Sequence, residues 1–359
     1  MNALIQQILD KARWAPSGDN AQSWRFSALH DYAFIIECRD TRHEVVYDYF
    51  GRPSQIAIGV LLETIRIAAS HFGYLAEFHL LDHEHCAINA DYLRYRVDLI
   101  HHPELPADPL FAVIEQRSVN RRSLSRQPLN EKHQEILQQA LGPAFRLRCF
   151  GSAAERKRFA GIWWHNAYIR LTMAEAYPVH KSVIAWNSRY SEDKIPDQAL
   201  GANKLSLKLM RWALQSWQRI DFMNRYLAGT LIPRLQLDLI PALNCAAHFT
   251  LEASQPPRQV ADFVLAGQAL QRFWLTATQL GLQMQPAMTP LIFNWYAESH
   301  QVCTQDPKCW QAILDLQRRL QQQLGAAQLS RTLFMGRLGY GALASARSLR
   351  KPLTELIRH

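Results

Sequence analysis

The chain has 359 residues, 48% hydrophobic and 20% charged, with only 15 Gly and 17 Pro, a composition that supports a large buried core without disulfide staples and excludes disordered, collagen-like and low-complexity architectures. Its six cysteines (Cys38, Cys86, Cys149, Cys245, Cys303, Cys309) are scattered without a CxxC pair, which predicts reduced thiols and a cytoplasmic protein. The formal net charge of +9 raises nucleic acid or an anionic ligand as a partner. That charge is concentrated at Arg117, Arg121, Arg122 and Arg126, and again at Arg331, Arg337, Arg347, Arg350, Lys351 and Arg358. Two distant basic runs can converge on one phosphate.

In chain order, Leu4, Ile5, Ile8, Leu9 and Ala12 place one apolar face on a helix that should stop at Ala15-Pro16. This opening lacks the basic and apolar regions of a signal peptide, so export is not expected. Ser17-Gly18-Asp19-Asn20 is turn chemistry, and residues 24–29 and 32–38 are predicted to pair as a hairpin. Residues 56–72 contain no proline and three ionisable side chains, the pattern of a helix buried on most sides. Gly73 should cap it, with a strand over 74–81. His83, Glu84, His85 and Cys86 offer metal-ligand chemistry, but they sit too close together to close one tetrahedral site without distant partners, and no metal is expected.

The order then repeats. A helix is predicted over 130–141, a strand over 145–150 and a long helical stretch over 153–176, ending before Pro178. Residues 264–280, capped by Gly281, match 56–73 in length, apolarity and terminating glycine, which points to an internal duplication into halves 1–115 and 116–359. The extra length of the second half is expected mainly at 175–242, a basic helical insert carrying Trp186, Trp212 and Trp217 that reads as a lid. The uncharged stretch 281–297 is interrupted by Pro286 and Pro290 and is too short to span a bilayer, so no membrane partner is expected. Gly339-Tyr340-Gly341-Ala342-Leu343-Ala344 fits a loose dinucleotide fingerprint without room for the strand that must follow. No P-loop, HExxH or G-x-S-x-G element is present, so NTPase and hydrolase readings lose their main support.

Four further stretches carry a resemblance. Ala12-Arg13-Trp14-Ala15-Pro16-Ser17-Gly18-Asp19-Asn20-Ala21-Gln22-Ser23-Trp24 resembles the A-R-x-A-P-S-x-x-N-x-Q-P-W segment of FMN-dependent nitroreductases, with Ser23 in place of the proline. Gly267-Gln268-Ala269 through Leu275, Ala277, Leu280, Gly281 and Leu282 resembles the family's buried helix. Arg117-Ser118-Val119-Asn120-Arg121-Arg122 is similar to its basic R-R-S-x-R start, with Val119 where Ser or Thr is usual. Leu338-Gly339-Tyr340 and Arg350-Lys351-Pro352-Leu353-Thr354-Glu355 are similar to its C-terminal tail.

The resemblance implies an α+β, nitroreductase-like fold: an internally duplicated pseudo-dimer of two mixed-sheet halves with surrounding helices, similar to the tandem, Acg-like members. In the family two subunits build each flavin site together. Here only the first half keeps the P-S-x-x-N loop, and only the second keeps the basic segment and tail, which implies one complete FMN site. Pro16, Ser17 and Asn20 would shape the loop around the isoalloxazine, Asn20 through its amide. Arg117, Ser118 and Arg121, with Arg347 or Arg350, would hold the phosphate, and the backbone of Pro286, Ala287 and Met288 would face the N5 edge. Asn166 and Arg170 fall where the pyrimidine edge is contacted, and Glu175 and His180 are placed for substrate. The flavin performs the redox step, so no catalytic side chain is assigned. The implied activity is an FMN-dependent oxidoreductase acting on a small molecule or biosynthetic intermediate, with NADH or NADPH as candidate partner. The alternative is a flavin-sequestering protein whose lid prevents turnover. Fusion makes a monomer sufficient, a weak homodimer remains open, and nucleic acid is not expected as a partner.

Overall fold

The structure, a computed structural model, describes residues 1–81 and 92–358. Two four-stranded sheets organise it. The first contains β1 (Trp24–His30), β2 (Ala33–Arg39), β3 (Tyr74–Leu80) and β4 (Tyr92–His101) in the order β1-β2-β4-β3. The second contains β5 (Phe145–Phe150), β6 (Ala247–Ala253), β7 (Leu282–Pro286) and β8 (Thr332–Tyr340) in the order β7-β8-β6-β5. Every ladder in both is antiparallel, which corrects the expectation of mixed sheets. A crossover helix does join β2 to β3, but β4 lies between them, so the parallel pair that a crossover permits never forms. Among the described residues, parallel pairing at these sheets is confined to two single bridges, Phe26 with Ile357 and Val119 with Met284.

The apolar spacing at the N-terminus gives α1 (Ala3–Ala12), which buries Ile5, Ile8, Leu9 and Ala12 and is capped by Asn2 Oδ1 accepting from the Ile5 N–H at 3.0 Å. Two 20-residue helices form the centre, α2 (Arg52–His71) and a later one at Val260–Gln279. They cross at Gly59 and Gly267, the eighth residue of each. A Cβ on Gly59 would stand 1.9 Å from the Val264 carbonyl oxygen, and one on Gly267 would stand 2.0 Å from that of Ile56, so only glycine permits the approach. Both helices end at a left-handed glycine, Gly73 or Gly281, each with φ of 74°, the conformation that a C-terminal cap needs. Helix α1 packs on α2 as α3 (Glu131–Leu141) packs on the later central helix, and β3 follows Gly73 as β7 follows Gly281.

The two arrangements differ in their connections. Asp31 and Tyr32 alone join β1 to β2, whereas residues 151–246 join β5 to β6 and hold α4 (Ala153–Thr172), α5 (Tyr177–Ser182), α6 (Lys204–Ala213) and α7 (Trp217–Tyr226). The central helix Val260–Gln279 is α8 in this order. Residues 287–331 then join β7 to β8 through α9 (Thr289–Glu298) and α10 (Pro307–Leu324). Residues 175–242 lie within the first of these connections, which begins with α4, and a second added part follows β7. Helix α4, opened by a Ser152–Glu155 capping box, stops earlier than predicted. Buried Met173 adopts an extended conformation, φ −76° and ψ 118°, and Pro178 lies in the first turn of α5, where its missing N–H breaks no bond. Among the described residues no helix is long and apolar enough to cross a membrane.

Candidate functional site

Residues 16–22 leave α1 through a turn with three left-handed side-chain-bearing residues, Asp19 (φ 49°), Asn20 (φ 64°) and Gln22 (φ 50°). Each costs on the order of 1 kcal/mol, somewhat less for Asp and Asn, whose side chains bond locally. Tertiary hydrogen bonds offset the strain. Ser17 Oγ accepts from the Gln22 N–H at 3.0 Å. Gln22 Nε2 donates to the carbonyls of Asn20 (3.0 Å) and Glu192 (2.8 Å), and Gln22 Oε1 accepts from the Lys351 N–H at 2.9 Å. Asn20 Nδ2 donates to the carbonyls of Glu192 at 3.0 Å and Leu349 at 3.2 Å, with that of Lys194 at 3.4 Å. The amide expected to meet the isoalloxazine thus has its nitrogen engaged by backbone, and Oδ1, buried and without a partner among the described residues, is left to receive a donor.

Sheet-edge pairing carries both basic stretches to this loop. The Asn120 N–H donates to the Met284 carbonyl at 2.9 Å beside the Val119 bridge, and the Arg358 N–H donates to the Phe26 carbonyl at 2.7 Å beside the Ile357 bridge. Arg117, 3% exposed, Arg350, 6% exposed, and half-buried Arg347 converge on one cavity. Among the described residues their hydrogen-bond acceptors are main-chain carbonyls only: Trp14 for Arg117 (3.4 Å), Glu115 for Arg347 (2.7 Å), and Ala15 and Leu349 for Arg350 (3.0 and 2.7 Å). Arg117 Nε and Arg347 Nε have no partner among the described residues. Burial, with repulsion from Arg350 and Arg347, holds the Arg117 guanidinium well below the ordinary arginine range. Burial, with repulsion from Arg347 and Arg13, pushes Arg350 down to about 9.

Aromatic rings stand where counter-ions would be expected. The Arg117 guanidinium lies 4.5 Å from the centre of the Trp274 ring, and that of Arg347 lies 5.2 Å from the Trp14 ring. Such contacts are worth roughly 0.5–2 kcal/mol. A bound dianion would do more, because each charge-assisted hydrogen bond contributes about 1.5–3 kcal/mol. Arg337, counted with the basic tail in the sequence, has a different role. It is fully buried, and its Nε donates to Gln285 Oε1 at 2.7 Å while Nη2 donates to the carbonyls of Arg122 (2.7 Å) and Asn120 (3.4 Å), which ties the basic segment to β8.

The arginines line a cavity of about 310 Å³ together with Pro16, Ser17, Asn20, Ser118, Arg121, Pro286 and Met288. Ile56, Ala57, Val60, Leu270, Ile292 and Phe334 give it an apolar wall, with Asp19, Tyr47, Thr289 and Ser348 as further polar lining. An apolar slot with a cationic end fits a flat aromatic ligand that carries a phosphate, and the two orphan Nε donors are what such a phosphate would satisfy. Ala287 lines an adjoining cavity of about 400 Å³ instead. Asp19, Tyr47, Arg121, Ile195, Pro286, Met288 and Thr289 line both, so the two cavities meet.

Asn166, Arg170 and His180 line the larger cavity. Asn166 Nδ2 donates to Thr289 Oγ1 at 2.9 Å and Arg170 Nη2 donates to Asp238 Oδ1 at 2.5 Å, while among the described residues Asn166 Oδ1 has no donor and Arg170 Nε has no acceptor. Glu175 does not join them. Its Oε1 accepts from the Gln305 N–H at 2.8 Å and it lines neither cavity, because the break at Met173 ends the helix that was to carry it inward.

Two groups that the sequence does not mark as site residues stand where the cavities meet. Tyr47 is the first: its Oη and His180 Nε2 share a hydrogen bond of 2.9 Å. Burial, with repulsion from Arg170, pushes the imidazole down to about 3, and burial raises the Tyr47 phenol, so both are neutral near pH 7. Asp19 is the second: burial raises its carboxyl, against the opposing pull of Arg121 and Arg170. The loop that presents Tyr47 is organised by Asp48, whose carboxylate accepts from the N–H groups of Thr41 (2.7 Å) and Ser54 (3.1 Å) and from both hydroxyls. No hydrophobic periodicity marks that loop in the sequence. The cluster His83, Glu84, His85 and Cys86 lies outside the described residues. Among the described residues no group of three or more His, Cys, Asp or Glu is placed to hold a metal ion.

No protein-family model and no curated protein matches the sequence. Among solved structures the chain is similar to a nitroreductase-like family protein from Bacillus cereus, at 14% identity over 70% of this chain and 96% of that one, with a TM-score of 0.33. It is also similar to the FMN-dependent nitroreductase NfnB from Mycobacterium smegmatis in complex with NADPH, at 16% identity over 69% of this chain and 96% of that one, with a TM-score of 0.35.

Proposed function

We propose that this chain is a cytoplasmic FMN-dependent oxidoreductase of the nitroreductase type, built as a single-chain pseudo-dimer of halves 1–115 and 116–359 around one flavin. The observation that carries this reading is the convergence of buried Arg117 and Arg350 and half-buried Arg347, two of them with Nε donors unpartnered among the described residues, on the same cavity as the Pro16-Ser17-Gly18-Asp19-Asn20 loop. The duplication is supported by the two equal central helices, with Gly59 and Gly267 in matching places and matching glycine ends.

Bound in this cavity, FMN supplies two-electron redox chemistry. The chain's own residues do the rest. The three arginines hold the phosphate, the apolar faces of α2 and α8 keep water from the ring, and Asn20 Oδ1 offers an acceptor that lacks a donor. The adjoining cavity receives the small-molecule substrate, with a nicotinamide, NADH or NADPH, as electron donor. That cavity also favours turnover over storage, since a flavin-sequestering protein needs no second space meeting the first.

The absorption spectrum of the purified protein tests the reading. Flavin bands whose chromophore is released as FMN on denaturation are expected, and a colourless protein that rejects added FMN overturns it. Sustained oxidation of NADH or NADPH with a quinone or nitroaromatic acceptor separates turnover from sequestration.

A further inference from the structure

Residues 205–240 carry nine of the eighteen large apolar side chains exposed in the described structure. On α6, Leu205 (78% exposed), Leu209 and Trp212 recur at spacings of four and three, one outward stripe. Leu207 meanwhile is buried on the opposite side. A surface helix ordinarily has one apolar face, turned to the core. Alongside the outward stripe, at the same spacings, run Lys204, Lys208 and Arg211, whose side chains have no ion pair or hydrogen bond among the described residues. Residues 198–220 contain no acid. Phe222 and Tyr226 extend the apolar surface along α7, with ring centroids 5.2 Å apart. Leu209, Leu227 and Ile232 belong both to this exposed set and to the lining of the larger cavity, so that cavity opens here.

We propose that this face docks on an anionic lipid bilayer, with the mouth of the larger cavity against the acyl region. Apolar and aromatic side chains flanked by unpaired cations match acyl chains beneath anionic headgroups. Protein interface cores, by contrast, are depleted in lysine. A second copy docking about a two-fold axis would bring Lys204, Lys208 and Arg211 toward their own equivalents. The expectation of no membrane partner rested on the lack of a span, and docking on a surface needs none. The proposal does not depend on the flavin reading.

Co-flotation of the full chain with vesicles tests it, using phosphatidylcholine alone and phosphatidylcholine with about one third phosphatidylglycerol. Binding is expected on the anionic vesicles only and weakens as salt is added. Lys204→Gln, Lys208→Gln and Arg211→Gln combined should lower partitioning on the order of 100-fold, from about fivefold per cation. Leu205→Ser with Trp212→Ser should abolish it. Trp212→Phe should keep binding but lose part of the quenching of tryptophan emission by lipids brominated in the acyl chain, which locates the contact. These side chains are exposed, and an unchanged melting temperature confirms that the variants fold. The proposal is overturned if wild-type protein ignores anionic vesicles or if the triple Gln variant binds as well as wild type. It is also overturned if the protein is a dimer that Trp212→Ser dissociates, which gives the face to a second copy. Colour is read on the same samples: a colourless protein that floats removes the flavin reading alone, and a yellow one that does not float removes the docking alone.

Discussion

Gly59 and Gly267 face each other where α2 crosses α8, and a methyl group on either would stand 2.9 Å from the Cα of the other. The crossing sets the spacing of the helices whose residues Ile56, Ala57, Val60 and Leu270 line the smaller cavity. Because the obstructing atoms are backbone, Gly59→Ala or Gly267→Ala must push the helices apart. Each should destabilise the protein by about 3 kcal/mol, seen as a lower urea midpoint. The double variant should cost less than the sum, since both changes strain one contact. Alanine variants as stable as wild type would show that the helices do not meet this closely.

Arg117 predicts opposite effects on stability and binding. In the flavin-free protein it is a buried cation repelled by Arg350 and Arg347, so Arg117→Met should stabilise that form by about 1 kcal/mol or more. The same change should weaken FMN binding about 10- to 100-fold through the lost charge-assisted bonds. Urea unfolding of the deflavinated protein and an FMN titration check the two halves separately. Inorganic phosphate should raise the melting temperature of wild type and do less for the variant.

His248 predicts acid sensitivity. Its ring is fully buried, stacked on Phe159 at 4.7 Å between centroids, with Nε2 bonded to the Ala242 carbonyl at 2.9 Å. Burial pushes the imidazole from 6.5 down to about 3, aided by Arg337 and Arg156. Between those values the unfolded chain binds the extra proton. Stability therefore rises with pH through this window and is lost as the pH falls from about 6.5 toward 3, by up to ~1.4 kcal/mol per pH unit for each such histidine. His180 acts in the same direction. His248→Gln should lose about 2 kcal/mol less than wild type between roughly pH 6.5 and pH 5, measured by urea unfolding at each pH. Parallel pH profiles for the two proteins would show that His248 is protonated in the fold.

Ala213 lines the larger cavity and not the smaller one. Ala213→Phe should fill part of that space, leave the flavin spectrum unchanged and lower kcat/KM for a quinone or nitroaromatic acceptor by about tenfold, a loss of ~1.4 kcal/mol in transition-state binding. Unchanged kcat/KM would move the substrate elsewhere.

Residues that act through their neighbours in the chain are legible in the amino-acid sequence alone. The apolar spacing of Ile5, Ile8, Leu9 and Ala12 sets α1, the glycine after each central helix sets its end, and residues 16–22 read as a turn because Ser, Gly, Asp and Asn suit left-handed and capping geometry. The candidate cofactor residues stand out as short motifs for the same reason. Asn20 shows the limit: its place in the loop is readable, but its amide nitrogen is taken by the carbonyls of Glu192 and Leu349, far along the chain.

What distinguishes Arg337 from Arg347 is invisible in their chemistry. One lies in β8 between Gln285 and the carbonyl of Arg122, and the other reaches the cavity with a free Nε. Register and burial decide this, and both depend on strands and edges brought together from distant parts of the sequence. Tyr47 reaches the junction of the cavities through a loop held by Asp48, while Glu175 is lost from it through a break at buried Met173. Periodicity and capping are local energies that a short stretch of chain already contains. Which buried donor stays unpaired is set only when the whole chain has closed around it.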